Sequence, residues 1–236
     1  MMNYNVRGLL PRADVTRRGF VASTLAAAFA LSVRAASAGM ADQLSIEPKT
    51  TALLVMDFQT LIVEGFATDG QALLGRTAAL LEAARGADVM VVYVVVGFRP
   101  GYPEISPQNP LFSAVKASGR FAAGEPGTEI HPAVAPKAGE AVVTKHRVGA
   151  FFGTDLDMIL KAHRIETLIL AGVATSGVVL STVRHAADAD YGLVVVGDCC
   201  SDRDEEVHRV LLEKVLSKQA TVATAAEVKR ALGVVR

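Results

Sequence analysis

Residues 167–187, TLILAGVATSGVVLSTVRHAA, decide how this chain folds. Their opening, residues 168–171, is an apolar run short enough for a buried strand. A turn follows across residues 172–177, and a helical pattern begins near Val178. A strand that runs through a tight turn into a helix leaves backbone N–H groups at the helix start free to bind a developing negative charge. The first helical side chain is aimed into the same pocket, as where nucleophiles sit on sharp strand-to-helix turns. Here that position is Val178, which can neither attack nor donate.

Outward from this stretch, apolar runs and helical patterns alternate. Residues 51–56 (TALLVM), 89–96 (VMVVYVVV), 141–145, 193–196 and 220–222 read as further strands. Residues 71–85 and 204–216 have helical spacing, residues 154–162 read as a helix that Thr154 caps, and residues 178–190 as the helix after the fourth strand. Residues 97–110, with their Gly and Pro, read as a surface loop. Strands alternating with helices imply parallel β-α-β units and a sheet covered on both faces. The expected fold is a three-layer α-β-α arrangement around a six-stranded, mainly parallel sheet, in a domain spanning residues 49–236.

Residues 1–38 stand apart. Thr16-Arg17-Arg18-Gly19-Phe20-Val21 places twin arginines before an apolar segment, residues 20–33, and Ala36-Ser37-Ala38 supplies the small residues of a cleavage site. The apolar run is short of the ~20 residues that span a bilayer. The expectation is twin-arginine export to the periplasm, with no membrane attachment after processing. A start at Met40 would instead leave the protein cytoplasmic. The leader holds five arginines against one aspartate, so the remainder of this formally neutral chain is acidic, at net −4. That balance leaves no basic stripe for nucleic acid.

In parallel sheets, ligands bind at the carboxyl ends of the strands. Asp57 after the first strand, Lys145 ending the third and the turn before Val178 fall on that edge. A carboxylate and an ammonium in one cleft hold each other ionised or exchange protons with a substrate. His146, Arg147, Phe151 and Thr175 stand near the pocket, with Phe151 equally suited to the core. Arg99 in the long loop offers a bidentate fork for an anion. The histidines at 131, 163, 185 and 208 show no metal-ligand spacing, and neither a metal nor another cofactor is expected. Cys199 and Cys200 lie beyond the fifth strand in this reading, packed and inert.

These segments resemble the isochorismatase-like hydrolases, which include nicotinamidases, carbamoylsarcosine and related amidases, and isochorismatases. The likeness rests on LLVMDFQ (53–59), VVTKHRVGAFFGTDL (142–156), LILAGVATSGVVLSTVRHAADADYG (168–192) and VVVGDCCSDRDEEVH (194–208). In the cysteine hydrolases of that family, the resemblance makes Asp57 the base for a thiol and Lys145 its electrostatic partner. The nucleophilic cysteine falls six residues after the glycine matching Gly172, where this chain has Val178. The resemblance also implies a cis peptide between Val173 and Ala174, with the N–H groups of Ala174 and residue 178 as the oxyanion hole. A valine excludes acyl-thioester chemistry at that position. The isochorismatase branch works without the cysteine, through a proton-transferring aspartate. The implied activity is therefore non-covalent hydrolysis of a small amide, carbamate or vinyl ether by a homo-oligomer. A binding protein that kept the pocket and lost the chemistry is the alternative.

Overall fold

The computed structural model describes residues 44–233. The expected leader, residues 1–38, and the alternative start at Met40 lie outside the described residues.

The chain builds β1 (Thr51–Met56), α1 (Thr60–Phe66), α2 (Gly70–Gly86), β2 (Met90–Val96), α3 (Pro110–Ser118), β3 (Ala141–Lys145) and α4 (Leu156–Ala162). It continues through β4 (Thr167–Val173), α5 (Leu180–Asp188), β5 (Gly192–Ser201), α6 (Glu205–Val210), β6 (Thr221–Ala223) and α7 (Ala225–Ala231). The six strands lie in the order β3-β2-β1-β4-β5-β6, and every pairing is parallel. Order reverses between β1 and β4, which makes their carboxyl ends the switch point where open α/β sheets take ligands.

All six residues of β1 are buried, because both faces of the sheet are covered. Leu53, Val55, Tyr93, Ile169 and Val194 turn to one side, against Leu73, Leu80 and Leu81 of α2 and Val228 of α7. Leu54, Met56, Val94, Leu170 and Val195 turn to the other, against Leu156 and Leu160 of α4 and Val183 and Ala186 of α5. The period of two along each strand produces two cores, and hence three layers.

Several expectations need correction. Cys199 and Cys200 lie inside β5, not after it. Its register with β4 shifts between Leu170↔Val195 and Gly172↔Cys200, so the strand runs on past the apolar stretch that marks it in sequence. The helix expected over residues 178–190 begins instead as a widened π-helical turn, Thr175–Val179, with regular helix only from Leu180. Asp155, not Thr154, holds the N-cap position of α4, without a side-chain bond; the Thr154 hydroxyl accepts from the Leu156 N–H at 3.4 Å and donates to the Ala150 carbonyl at 2.7 Å. The helix read over residues 204–216 breaks after Val210 into a π-helical turn, Leu211–Val215. Helices α1 and α3 have no counterpart in the sequence reading, being short and set among loops.

Candidate active site

Asp57 is the first residue past β1 and adopts a left-handed backbone, φ 58°. Its N–H donates to the Val94 carbonyl at 2.8 Å, which ties the turn to β2. Lys145 ends β3, two strands away. Its Nζ lies 2.9 Å from Asp57 Oδ2, and the two side chains are only 3% and 7% exposed. The ammonium also donates to the Arg147 carbonyl at 3.1 Å. Asp57 Oδ1 is buried and has no hydrogen-bond partner among the described residues. Burial pushes the Asp57 carboxyl above the usual carboxylate range, and the charge and hydrogen bond of Lys145, with a lesser pull from the nearby Val96 N–H that bonds Gln59, oppose that shift without cancelling it. The result is a buried acid with one oxygen clamped and the other uncommitted.

Gln59 was not singled out from sequence, yet it fixes this corner. Its Oε1 accepts from the Val96 N–H at 2.8 Å, while Nε2 donates to the Val96 and Thr128 carbonyls at 3.0 and 2.6 Å. The side chain thus acts as an extra rung on β2 and anchors the segment after Asp57. The signal in the sequence was a second polar residue, two places on, closing an otherwise apolar run.

The turn after β4 lies one strand from Asp57. The Val173–Ala174 peptide is cis. Gly172 is required by close approach: a Cβ there would lie 3.0 Å from Val179 Cγ2 and 3.2 Å from both Met56 Cβ and the Met56 carbonyl oxygen. Thr175 is fully buried. Its hydroxyl donates to the Ser201 carbonyl at 3.2 Å and bonds His208 Nδ1 at 2.7 Å. A hydroxyl has one proton, and a carbonyl can only accept, so His208 Nδ1 must be the donor in this pair. Asp202 Oδ2 accepts from the Ser176 N–H at 2.7 Å. The turn is therefore held from behind by the end of β5 and by α6. Burial lowers the His208 pKa against the opposing influence of Asp202 and Glu205, which suits a neutral ring at this place. His208 is a brace for the turn, a role its isolated position in the sequence does not signal.

Val178 is 2% exposed and belongs to the apolar cluster on the α4–α5 face of the sheet. Phe151 lies in the same cluster, stacked on His185 with ring centroids 4.5 Å apart. The Thr175 hydroxyl is committed to Ser201 and His208, which makes it part of the brace. The Arg99 side chain is 71% exposed, with Nη1 paired with Glu104 Oε1 at 2.6 Å. His146 bonds the Gly97 carbonyl through Nδ1 at 2.6 Å. Cys199 and Cys200 are buried, and burial pushes both thiols up, Cys199 to about 12. Neither supplies a thiolate near neutrality. Among the described residues no three His, Cys, Asp or Glu side chains converge as metal ligands.

Comparison with known proteins gives this architecture its place. Residues 51–227 match the isochorismatase domain. The chain is 30% identical to maleamate amidohydrolase of Pseudomonas putida over 181 residues, 73% of this chain and 82% of that protein. It is 29% identical to ureidoacrylate amidohydrolase RutB of Methylobacterium radiotolerans, over 82% of this chain and 83% of the relative. Among solved structures, an isochorismatase family protein from Burkholderia thailandensis superposes with a TM-score of 0.70 at 31% identity, covering 80% of this chain and 98% of that one. A cysteine hydrolase from Pseudomonas syringae reaches 0.75 at 26% identity, over 80% and 95%. The strand order, the buried acid–lysine pair at the switch point and these matches agree: the chain belongs to the isochorismatase family of hydrolases.

Proposed function

We propose that the protein hydrolyses a small-molecule amide through direct attack of water, with Asp57 as general base and Lys145 as its electrostatic partner. The observation that carries this reading is the buried Asp57 carboxylate whose Oδ2 is fixed by Lys145 while Oδ1 has no partner. Oδ1 takes a proton from water as the oxygen adds to the substrate carbonyl, and the N–H groups of Ala174 and Val178 receive the oxyanion. Collapse breaks the C–N bond, and the proton on Asp57 passes to the leaving nitrogen, which departs as amine or ammonia. No covalent enzyme intermediate forms, since Val178 offers no nucleophile. The raised pKa of Asp57 suits a group that must both take and return a proton. The relatives named for maleamate and ureidoacrylate support an amide-type substrate.

The test is a hydrolysis screen of amides, carbamates, esters and vinyl ethers with the parent, Asp57→Ala and Val178→Cys. Turnover by the parent that Asp57→Ala lowers by about 10²–10⁴-fold supports the reading. The burial of Val178 within the apolar cluster favours a second reading, a binding protein of the same fold. Activity on amides confined to Val178→Cys selects that one. Residues 1–38 are proposed as an export signal. Sequencing the amino terminus of protein recovered from the periplasm should then begin just after Ala38.

A further inference from the structure

Buried polar side-chain atoms almost always find a hydrogen-bond partner, so each exception calls for a cause. Among the described residues three such atoms have none: Asp57 Oδ1, Thr60 Oγ1 and Glu104 Oε2. Asp57 is accounted for by the proposed reaction. Glu104 is not, and it lies in the long loop that follows β2. Its side chain is 11% exposed. Oε1 is held by Arg99, through Nη1 at 2.6 Å and the backbone N–H at 3.4 Å. Burial raises its pKa, but hydrogen bonds from its own backbone and from Arg99, with His146 close by, together hold the carboxyl below the usual range. Glu104 is thus an ionised, largely buried carboxylate with one oxygen uncommitted.

Its loop leaves the same edge of the sheet that carries the acid–lysine pair. Arg99 is two residues beyond Gly97. The Gly97 carbonyl accepts from His146, and the Gly97 N–H donates to the Lys145 carbonyl at 3.2 Å. His146 follows Lys145 directly. The loop carrying Glu104 and the lysine that clamps Asp57 are therefore tied together at the carboxyl ends of β2 and β3.

We propose that Glu104 reads the substrate: its free Oε2 accepts a hydrogen bond from a substrate N–H, so the site selects amide- or ureido-bearing molecules over esters and vinyl ethers that lack the donor. This rests on the hydrolase reading and narrows its substrate class. A carboxylate oxygen can only accept, and a site that leaves such an oxygen buried rejects a ligand with nothing to donate. Arg99 then acts as a positioning residue: it fixes and neutralises one oxygen, and leaves the other for the ligand.

The test uses full-length protein in the Asp57→Asn background, where binding is read without turnover. Calorimetric titration compares succinamate and N-carbamoyl-β-alanine with monomethyl succinate, in which an O–CH₃ replaces the N–H₂. A charge-assisted hydrogen bond predicts at least about tenfold tighter binding of the two N–H ligands. Glu104→Gln, which loses the charge, and Glu104→Asp, which withdraws the oxygen, should each bring that ratio to within about threefold of one. Arg99→Gln should reduce it without abolishing it. Thermal melts confirm that each variant is folded. Failure of all three probes to bind, the absence of a preference in the Asp57→Asn protein, or a preference that survives both Glu104 variants overturns the proposal. The hydrolase reading fails separately, if Asp57→Ala retains turnover while the N–H preference stands.

Discussion

At the scale of single residues, the proposed reaction turns on a buried carboxylate whose two oxygens are held differently. Lys145 fixes Oδ2, and Oδ1 stays available. Because burial raises the Asp57 pKa, the acid limb of kcat/KM should have its midpoint above 3.8, the ordinary value for this carboxyl. A rate–pH profile measures it directly. The same shift has a sign for stability. A carboxyl whose folded pKa is raised favours the folded state when protonated. That contribution is full below the unfolded value of 3.8 and is lost as pH rises through the folded value. Urea titrations across that window should show the parent losing stability relative to Asp57→Asn as pH rises. Lys145→Met should cost about 3–5 kcal/mol at neutral pH, since it strands a buried charge. Thr175→Val keeps the volume but leaves the His208 donor without its acceptor, and should cost about 1–3 kcal/mol.

At the scale of elements, the turn after β4 is defined by how closely its neighbours approach. Gly172→Ala should destabilise the protein by about 1–3 kcal/mol and slow turnover, because its Cβ meets Val179 and Met56 at 3.0–3.2 Å. Gly75→Ala, inside α2 with nothing within 4 Å of the added carbon, should instead stabilise by about 0.5–1 kcal/mol. Denaturant midpoints of the two variants should move in opposite directions. What the sequence made legible follows the same line. Apolar runs of uniform character, such as TALLVM and VMVVYVVV, announced buried parallel strands, and the polar residue closing TALLVM is the one that pairs with Lys145. The end of β5 was not legible, because its register shift and its stretch GDCCS break the apolar pattern while the hydrogen bonds continue. Nor was the brace behind the turn, where Thr175, Asp202 and His208 are isolated polar residues in sequence and neighbours only once β4, β5 and α6 have packed.

For the molecule as a whole, α2 is fastened to the start of β3 through Arg85. Its guanidinium pairs with Glu140 at 2.8 Å and Glu82 at 2.9 Å, and bonds the Tyr93 hydroxyl and the Ala135 carbonyl. Burial raises the Glu140 pKa, but the hydrogen bond from Arg85 leads the influences that hold it below 4.5. Its contribution is therefore present above the unfolded value and lost as pH falls through the folded one. Glu140→Gln should flatten the acid side of the stability–pH curve, read by thermal melting between about pH 3 and 6.

The sheet order β3-β2-β1-β4-β5-β6 divides the chain into two blocks of three adjoining strands, joined through the exposed residues His163 and Arg164. Asp57 and Lys145 belong wholly to the first block, and the turn around Ala174 and Val178 to the second. In the proposed reaction the centre is a seam, with base and anion cradle on opposite banks. The residues of the acid–lysine pair leave the ribosome before those of the cradle. The two come face to face only when β4 pairs with β1, so the proposed centre is complete only once both blocks have joined.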